Sequence, residues 1–214
     1  MFTTVWFLNG IKRLIPLILS LTVHEWAHAY SAFRLGDDTA SRQGRLTLNP
    51  IPHIDPIGTL LCPFLGIPFG WAKPVPVNPL RFRRDVTMKT GMMITAAAGP
   101  ISNLCLAVLC ALGYGLLLRF DLLSDGLSEL LLIAMGTNLA LFLFNFIPVP
   151  PLDGSRIVDG LLPYRFRGQW EQLQQYSWIL LLAVIYFGSS LLQGPIHWLY
   201  DHLADLIRLI AGRG

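Results

Sequence analysis

His24-Glu25-Trp26-Ala27-His28 places two imidazoles four residues apart with a carboxylate directly after the first. Positions i and i+4 share one face of a helix, so both rings can reach a single ion. Glu25 is offset by about 100° per residue, close enough to a water on that ion without having to bind the ion itself. Zinc held this way acidifies water, and a neighbouring carboxylate can take the proton. With five histidines in 214 residues, chance would produce the H-E-x-x-H pattern about two times in a thousand. The chemistry expected is metal-assisted hydrolysis.

A catalytic zinc usually has three protein ligands and one open position. Asp153, in the run Asn145-Phe-Ile-Pro-Val-Pro-Pro-Leu-Asp-Gly154, is the candidate for the third. Alone, Asp153-Gly154 reads as a plain turn. Pro148, Pro150 and Pro151 stop the preceding helix, and irregular backbone at membrane depth is tolerated only where it is buried or lines a wet cavity.

These groups must be positioned by apolar segments. Residues 14–35, 91–118 and 127–147 approach the roughly 20 apolar residues that cross a bilayer, and 177–192 forms a shorter fourth segment ahead of Gly194-Pro195. Residues 196–210 alternate apolar and charged positions at helical spacing and predict an amphipathic helix on the membrane surface. Residues 57–71 are apolar but broken by Pro63, Gly66 and Pro68, which predicts a re-entrant or buried segment. Gly44–Asn49 and Trp71–Asn78, in a proline-rich region, predict short extended pieces near the interface. The fold class expected is an all-α membrane protein: one domain over residues 1–214, a polytopic helical bundle of about four to six spans. Its core would cover about residues 10–160.

Charge placement gives the orientation. Residues 34–89 carry eight basic residues and the loop after the third span has Arg156, Arg165 and Arg167, whereas Asp121, Asp125 and Glu129 mark residues 120–130. The positive-inside rule puts 34–89 and 148–175 in the cytoplasm and 120–130 outside, provided 57–71 dips and returns. Lys12 and Arg13 then fall on the outer side. They precede an apolar run that leads into His24 rather than into a small-residue cleavage site, so the segment is expected to be kept.

Composition narrows the classes. Hydrophobic residues make up 53% of the chain and charged ones 14%, against about 25% charged in soluble domains, so the outer surface suits a lipid bilayer. A net charge of +3, with no basic stretch interleaved with aromatics, argues against nucleic acid as a partner. Cys62, Cys105 and Cys110 lie in apolar segments without a CxxC pair and read as buried hydrophobes.

HEWAHAY, GPISN (Gly99 to Asn103) and NFIPVPPLDG together resemble the three signature segments of the site-2 protease family of intramembrane metalloproteases. The likeness is to the compact bacterial branch without PDZ or CBS domains, and NPIPHIDPIGT and GWAKPVPVNP extend it over roughly residues 10–160. The resemblance implies a three-helix catalytic core, one Zn²⁺ held by His24, His28 and Asp153, and Glu25 as catalytic base. It also implies a partner: a transmembrane-helix protein substrate cut within its partly unwound span, in a bacterial cytoplasmic membrane. The family often has a further span before the H-E-x-x-H helix, for which residues 1–10 are too few.

Asn103, Asn138 and Asn145 are amides in or beside apolar helices. Interhelical hydrogen bonding accounts for them; the sharper expectation gives Asn145 and Asn103 to the substrate backbone or to the oxyanion. Gly91, Thr95 and Gly99 suggest close helix packing. His53 and Asp55 read as turn residues rather than a second metal pair, and His197 and His202 carry no metal signal. Trp71–Asn78 could accept an extended peptide or be a plain structural edge. The competing class is a non-catalytic metal-binding membrane scaffold or an ion transporter, although a transporter would more naturally show two related halves.

Overall fold

The structure, a computed structural model, describes residues 4–61 and 70–212. Among the described residues there are seven α-helices: α1 (Thr4–Arg34), α2 (Thr39–Arg42), α3 (Met88–Arg119), α4 (Asp125–Asn145), α5 (Asp153–Leu161), α6 (Arg167–Gln175) and α7 (Ser177–Ala211). No strand occurs among the described residues, so the all-α expectation holds.

By length and composition, α3 and α4 can each cross a membrane, and α7 makes a third span if its halves, bent by 57° between Gly188 and Ser190, count as one. The expected first span falls in α1, which at 31 residues is about 46 Å long but is not among the helices that meet this test of length and composition. The C-terminal region departs from expectation. The predicted span and the predicted surface helix are one bent helix running through Pro195, and Leu199, Tyr200, Leu203, Leu206 and Ile207 of its second half pack against Ala107, Ala111, Met135 and Leu139 of α3 and α4. The apolar stripe read as lipid-facing is therefore largely spent inside the bundle.

The centre of the bundle is α3, against which α1, α4, α5 and α7 all pack. One face of α3 makes this possible: Gly91, Thr95, Gly99, Asn103, Ala107, Ala111 and Gly115, spaced by four, are all buried. Small side chains on one stripe let neighbouring backbones close in, the usual means of joining helices where lipid removes the hydrophobic drive. Thr87 caps the start of α3 by accepting from Thr90 N–H, at 3.1 Å, and Ser124 caps α4 in the same way.

The connections follow from turn chemistry. Asp55 Oδ1 accepts the Ile57 and Gly58 amides at 3.0 and 2.8 Å, opening a wide helical turn over Pro56–Leu61. Residues 62–69 of the segment expected to dip or return lie outside the described residues. Gly44–Asn49 is a run of bends rather than the extended piece predicted. Trp71–Asn78 is neither helix nor paired strand. At the opposite end of α1, Lys12 pairs with Glu129 of α4 at 2.5 Å, so residue 12 sits at the same end of the bundle as the acidic 120–130 turn.

Candidate metal centre

The second half of α1 turns His24, Glu25 and His28 into the bundle, where all three are buried. Asp153 opens α5, where a carboxylate is favoured by the helix dipole. Three prolines end the helical run after α4, and the chain returns through short bonds: Val149 N–H to Ile147 O and Leu152 N–H to Val149 O, at 2.8 and 2.9 Å. Gly154 permits this path, because a Cβ there would press into the carbonyl oxygens of Phe146 and Ile147.

The outcome is a tight convergence. His24 Nε2 and His28 Nε2 lie 3.0 Å apart, and Asp153 Oδ2 is 3.2 Å from the first and 3.3 Å from the second. Ligands about 2.05 Å from one tetrahedral ion lie about 3.3 Å from each other, so the three atoms are spaced to share a cation. Among the described residues, this is the group of His, Cys, Asp or Glu side chains close enough to hold a metal ion.

The surroundings fit the same purpose. His24 Nδ1 lies 2.6 Å from Asn103 Oδ1, and His28 Nδ1 lies 2.7 Å from the Thr95 carbonyl oxygen. Both partners are acceptors, so each ring carries its proton on Nδ1 and turns the Nε2 lone pair towards the common point. Gly99, between Thr95 and Asn103 on the α3 stripe, faces the rings: a Cβ there would lie 2.5 Å from His28 Cε1 and 2.7 Å from His24 Cε1. Two imidazoles and one carboxylate, each ring oriented by an outer acceptor, suit a zinc with an open position.

Residues 117–188 match the sequence model of peptidase family M50. "Putative zinc metalloprotease YwhC" of Bacillus subtilis (strain 168) is 45% identical over 206 residues, covering 92% of this chain and 90% of its own. The chain belongs to peptidase family M50. Two relatives named "Putative zinc metalloprotease Rip2" are more distant: that of Mycobacterium tuberculosis (strain ATCC 25618 / H37Rv) is 28% identical over 92% of this chain and 75% of its own. That of Mycolicibacterium smegmatis (strain ATCC 700084 / mc(2)155) is 27% identical over 78% and 64%. No solved structure matches. The likeness drawn from the three signature segments is thus a family relationship, and the M50 chain is a protease, a hydrolase, of the membrane.

The tentative residues fare differently. Asn103, expected at the substrate or the oxyanion, is fully buried. Its Oδ1 meets His24, while its Nδ2 donates to Asn138 Oδ1 at 2.9 Å and to Ser20 O at 3.3 Å. Every polar atom of the amide is thus engaged within the bundle, with Oδ1 set against the ring of His24. Asn145 donates back to Leu141 O of its own helix, at 3.0 Å, and no bond joins it to the ligand group. His53 is buried with Nε2 2.9 Å from Thr47 O, and with Asp55 it serves the turn. Sequence reasoning missed the orienting carbonyl of Thr95 and the cradle at Gly99. The four-residue spacing of Thr95, Gly99 and Asn103 was the signal, read there as packing alone.

Proposed function

We propose that this M50 chain is an intramembrane zinc endopeptidase that hydrolyses peptide bonds within transmembrane segments of other membrane proteins. The observation that carries the reading is the convergence of His24 Nε2, His28 Nε2 and Asp153 Oδ2 within the helical bundle. His24, His28 and Asp153 would hold one zinc ion, with Glu25 as general base.

A bound zinc supplies a Lewis acid that polarises a peptide carbonyl and acidifies water. His24 and His28 act as neutral donors, kept in that tautomer by Asn103 and Thr95. Asp153 adds one negative charge that partly offsets the cation. Glu25, buried beside His24, takes a proton from the attacking water and returns it to the leaving amine. The surrounding bundle limits water at the site, which strengthens these charge interactions.

The substrate's approach is supported by an open apolar groove lined by Met93, Ile94, Ala97, Ala98 and Ile101 of α3 and Ile157 of α5. Ile157 is one helical turn from Asp153, on the same face. A transmembrane segment lying there has its apolar side chains accommodated next to the ligand loop. The basic residues at 34–89 and 148–175 favour a cytoplasmic position for the centre, in a bacterial cytoplasmic membrane.

The test is cleavage of a model transmembrane substrate by purified protein in proteoliposomes. The reading predicts that cleavage is zinc-dependent and that Glu25→Gln keeps the metal but loses activity. Cleavage by metal-free protein, or by Glu25→Gln at the wild-type rate, would overturn it.

A further inference from the structure

Glu25 has a neighbour that no part of the H-E-x-x-H pattern announces. The backbone N–H of Val75, fifty residues away, donates to Glu25 Oε2 at 2.9 Å. Val75 lies in Pro74-Val75-Pro76, so it carries the single amide hydrogen of that triplet. Proline also restricts the residue before it to extended conformations, which makes the triplet a stiff carrier for one donor.

The segment is fastened on both sides of that donor. Thr59 Oγ1 donates to Trp71 O at 2.8 Å, Lys73 N–H donates to His53 O at 2.9 Å, and the buried Arg45 donates to Lys73 O. Beyond Val75, Asn78 N–H donates to Oδ2 of the fully buried Asp37 at 2.6 Å. The Val75 amide is therefore held in place from four points rather than resting on Glu25 by chance.

We infer that the Val75 amide is a positioning group for the proposed general base, an inference that rests on Glu25 having that role. By holding Oε2, it fixes the carboxylate torsions and leaves Oε1 to receive the proton. A hydrogen bond to a charged group contributes about 1.5–3 kcal/mol, which corresponds to roughly ten- to hundredfold in rate if it is expressed in the transition state.

The experiment compares Val75→Pro, which removes the N–H and keeps a neighbour-compatible backbone, with Val75→Ala, which retains it. Both are made in the full chain and assayed with a model transmembrane substrate in proteoliposomes. Val75→Pro is expected to lower kcat about ten- to hundredfold with KM within twofold and zinc content unchanged, and Val75→Ala to keep kcat at least tenfold above it. If Val75→Pro does not accumulate folded, the α-hydroxy acid analogue of valine at position 75 replaces the amide by an ester and removes the same N–H. Wild-type kcat in Val75→Pro or in the ester variant, or a loss confined to KM, overturns the inference. Glu25→Gln in the same assay separates the two readings. If it is active, the base role fails; if it is inactive while the position-75 variants turn over normally, only the role of the amide fails.

Discussion

Asn103 Oδ1 stands 2.6 Å from His24 Nδ1, and the same amide reaches Asn138 on the next helix at 2.9 Å. One side chain thus ties α1, α3 and α4 together at the level of the metal group. Replacing Asn103 by Ala is expected to weaken zinc binding about ten- to hundredfold, the usual range for loss of a second-layer partner. Asn103→Asp, which keeps an acceptor, should recover part of it. Zinc affinity by chelator competition measures both, and unchanged affinity in Asn103→Ala would refute the orienting role.

Gly99→Ala should be more damaging than a helix-favouring substitution normally is. In an ordinary helix interior Ala is preferred over Gly by about 1 kcal/mol. Here the added Cβ meets both imidazoles, so α1 and α3 must separate or the rings must turn. The expected result is loss of most bound zinc with helicity retained, read by metal analysis and circular dichroism.

The groove beside α5 yields a different signature. Ala97→Trp or Ile101→Trp fills the space between α3 and Ile157 without touching a ligand. Each should raise KM for a transmembrane substrate at least fivefold while zinc per chain stays the same. Unaltered KM in both variants would exclude the groove as the path of approach.

Lys12 and Glu129 form an ion pair whose side chains are each 47% exposed. Such pairs contribute about 0–1 kcal/mol, so Lys12→Ala should leave thermal stability nearly unchanged. The pair matters more as a marker of sidedness. In a cysteine-free background, single cysteines at 12 and 125 should react with an impermeant reagent from one face of the membrane. A cysteine at 165 should react only from the other face; labelling of 12 and 165 from the same face would contradict the arrangement.

How much of this could be read before the structure varies by residue, for physical reasons. His24, Glu25 and His28 were legible because helical spacing alone puts them together. Asp153 was legible because few other carboxylates could supply a third ligand near that depth. Asn103 stood out in the sequence but its contact with His24 did not, since which neighbour an amide in an apolar helix faces depends on helix–helix register, which one chain's periodicity does not encode. The Val75–Glu25 contact was hidden altogether, because a backbone amide leaves no mark in side-chain chemistry. Gly194-Pro195 suggested a break between a span and a surface helix. The helix instead runs through Pro195 and bends nearer Gly188, and packing of Leu203 against Ala107 and Leu139 outweighs the local breaking tendency.

The central claim is that three side chains from two distant parts of the chain hold one ion, and metal analysis of the purified protein tests it most directly. One zinc per chain is expected in the wild type and in Glu25→Gln, and almost none in Asp153→Ala or His28→Ala. A full equivalent of zinc retained by Asp153→Ala, at wild-type affinity, would contradict it.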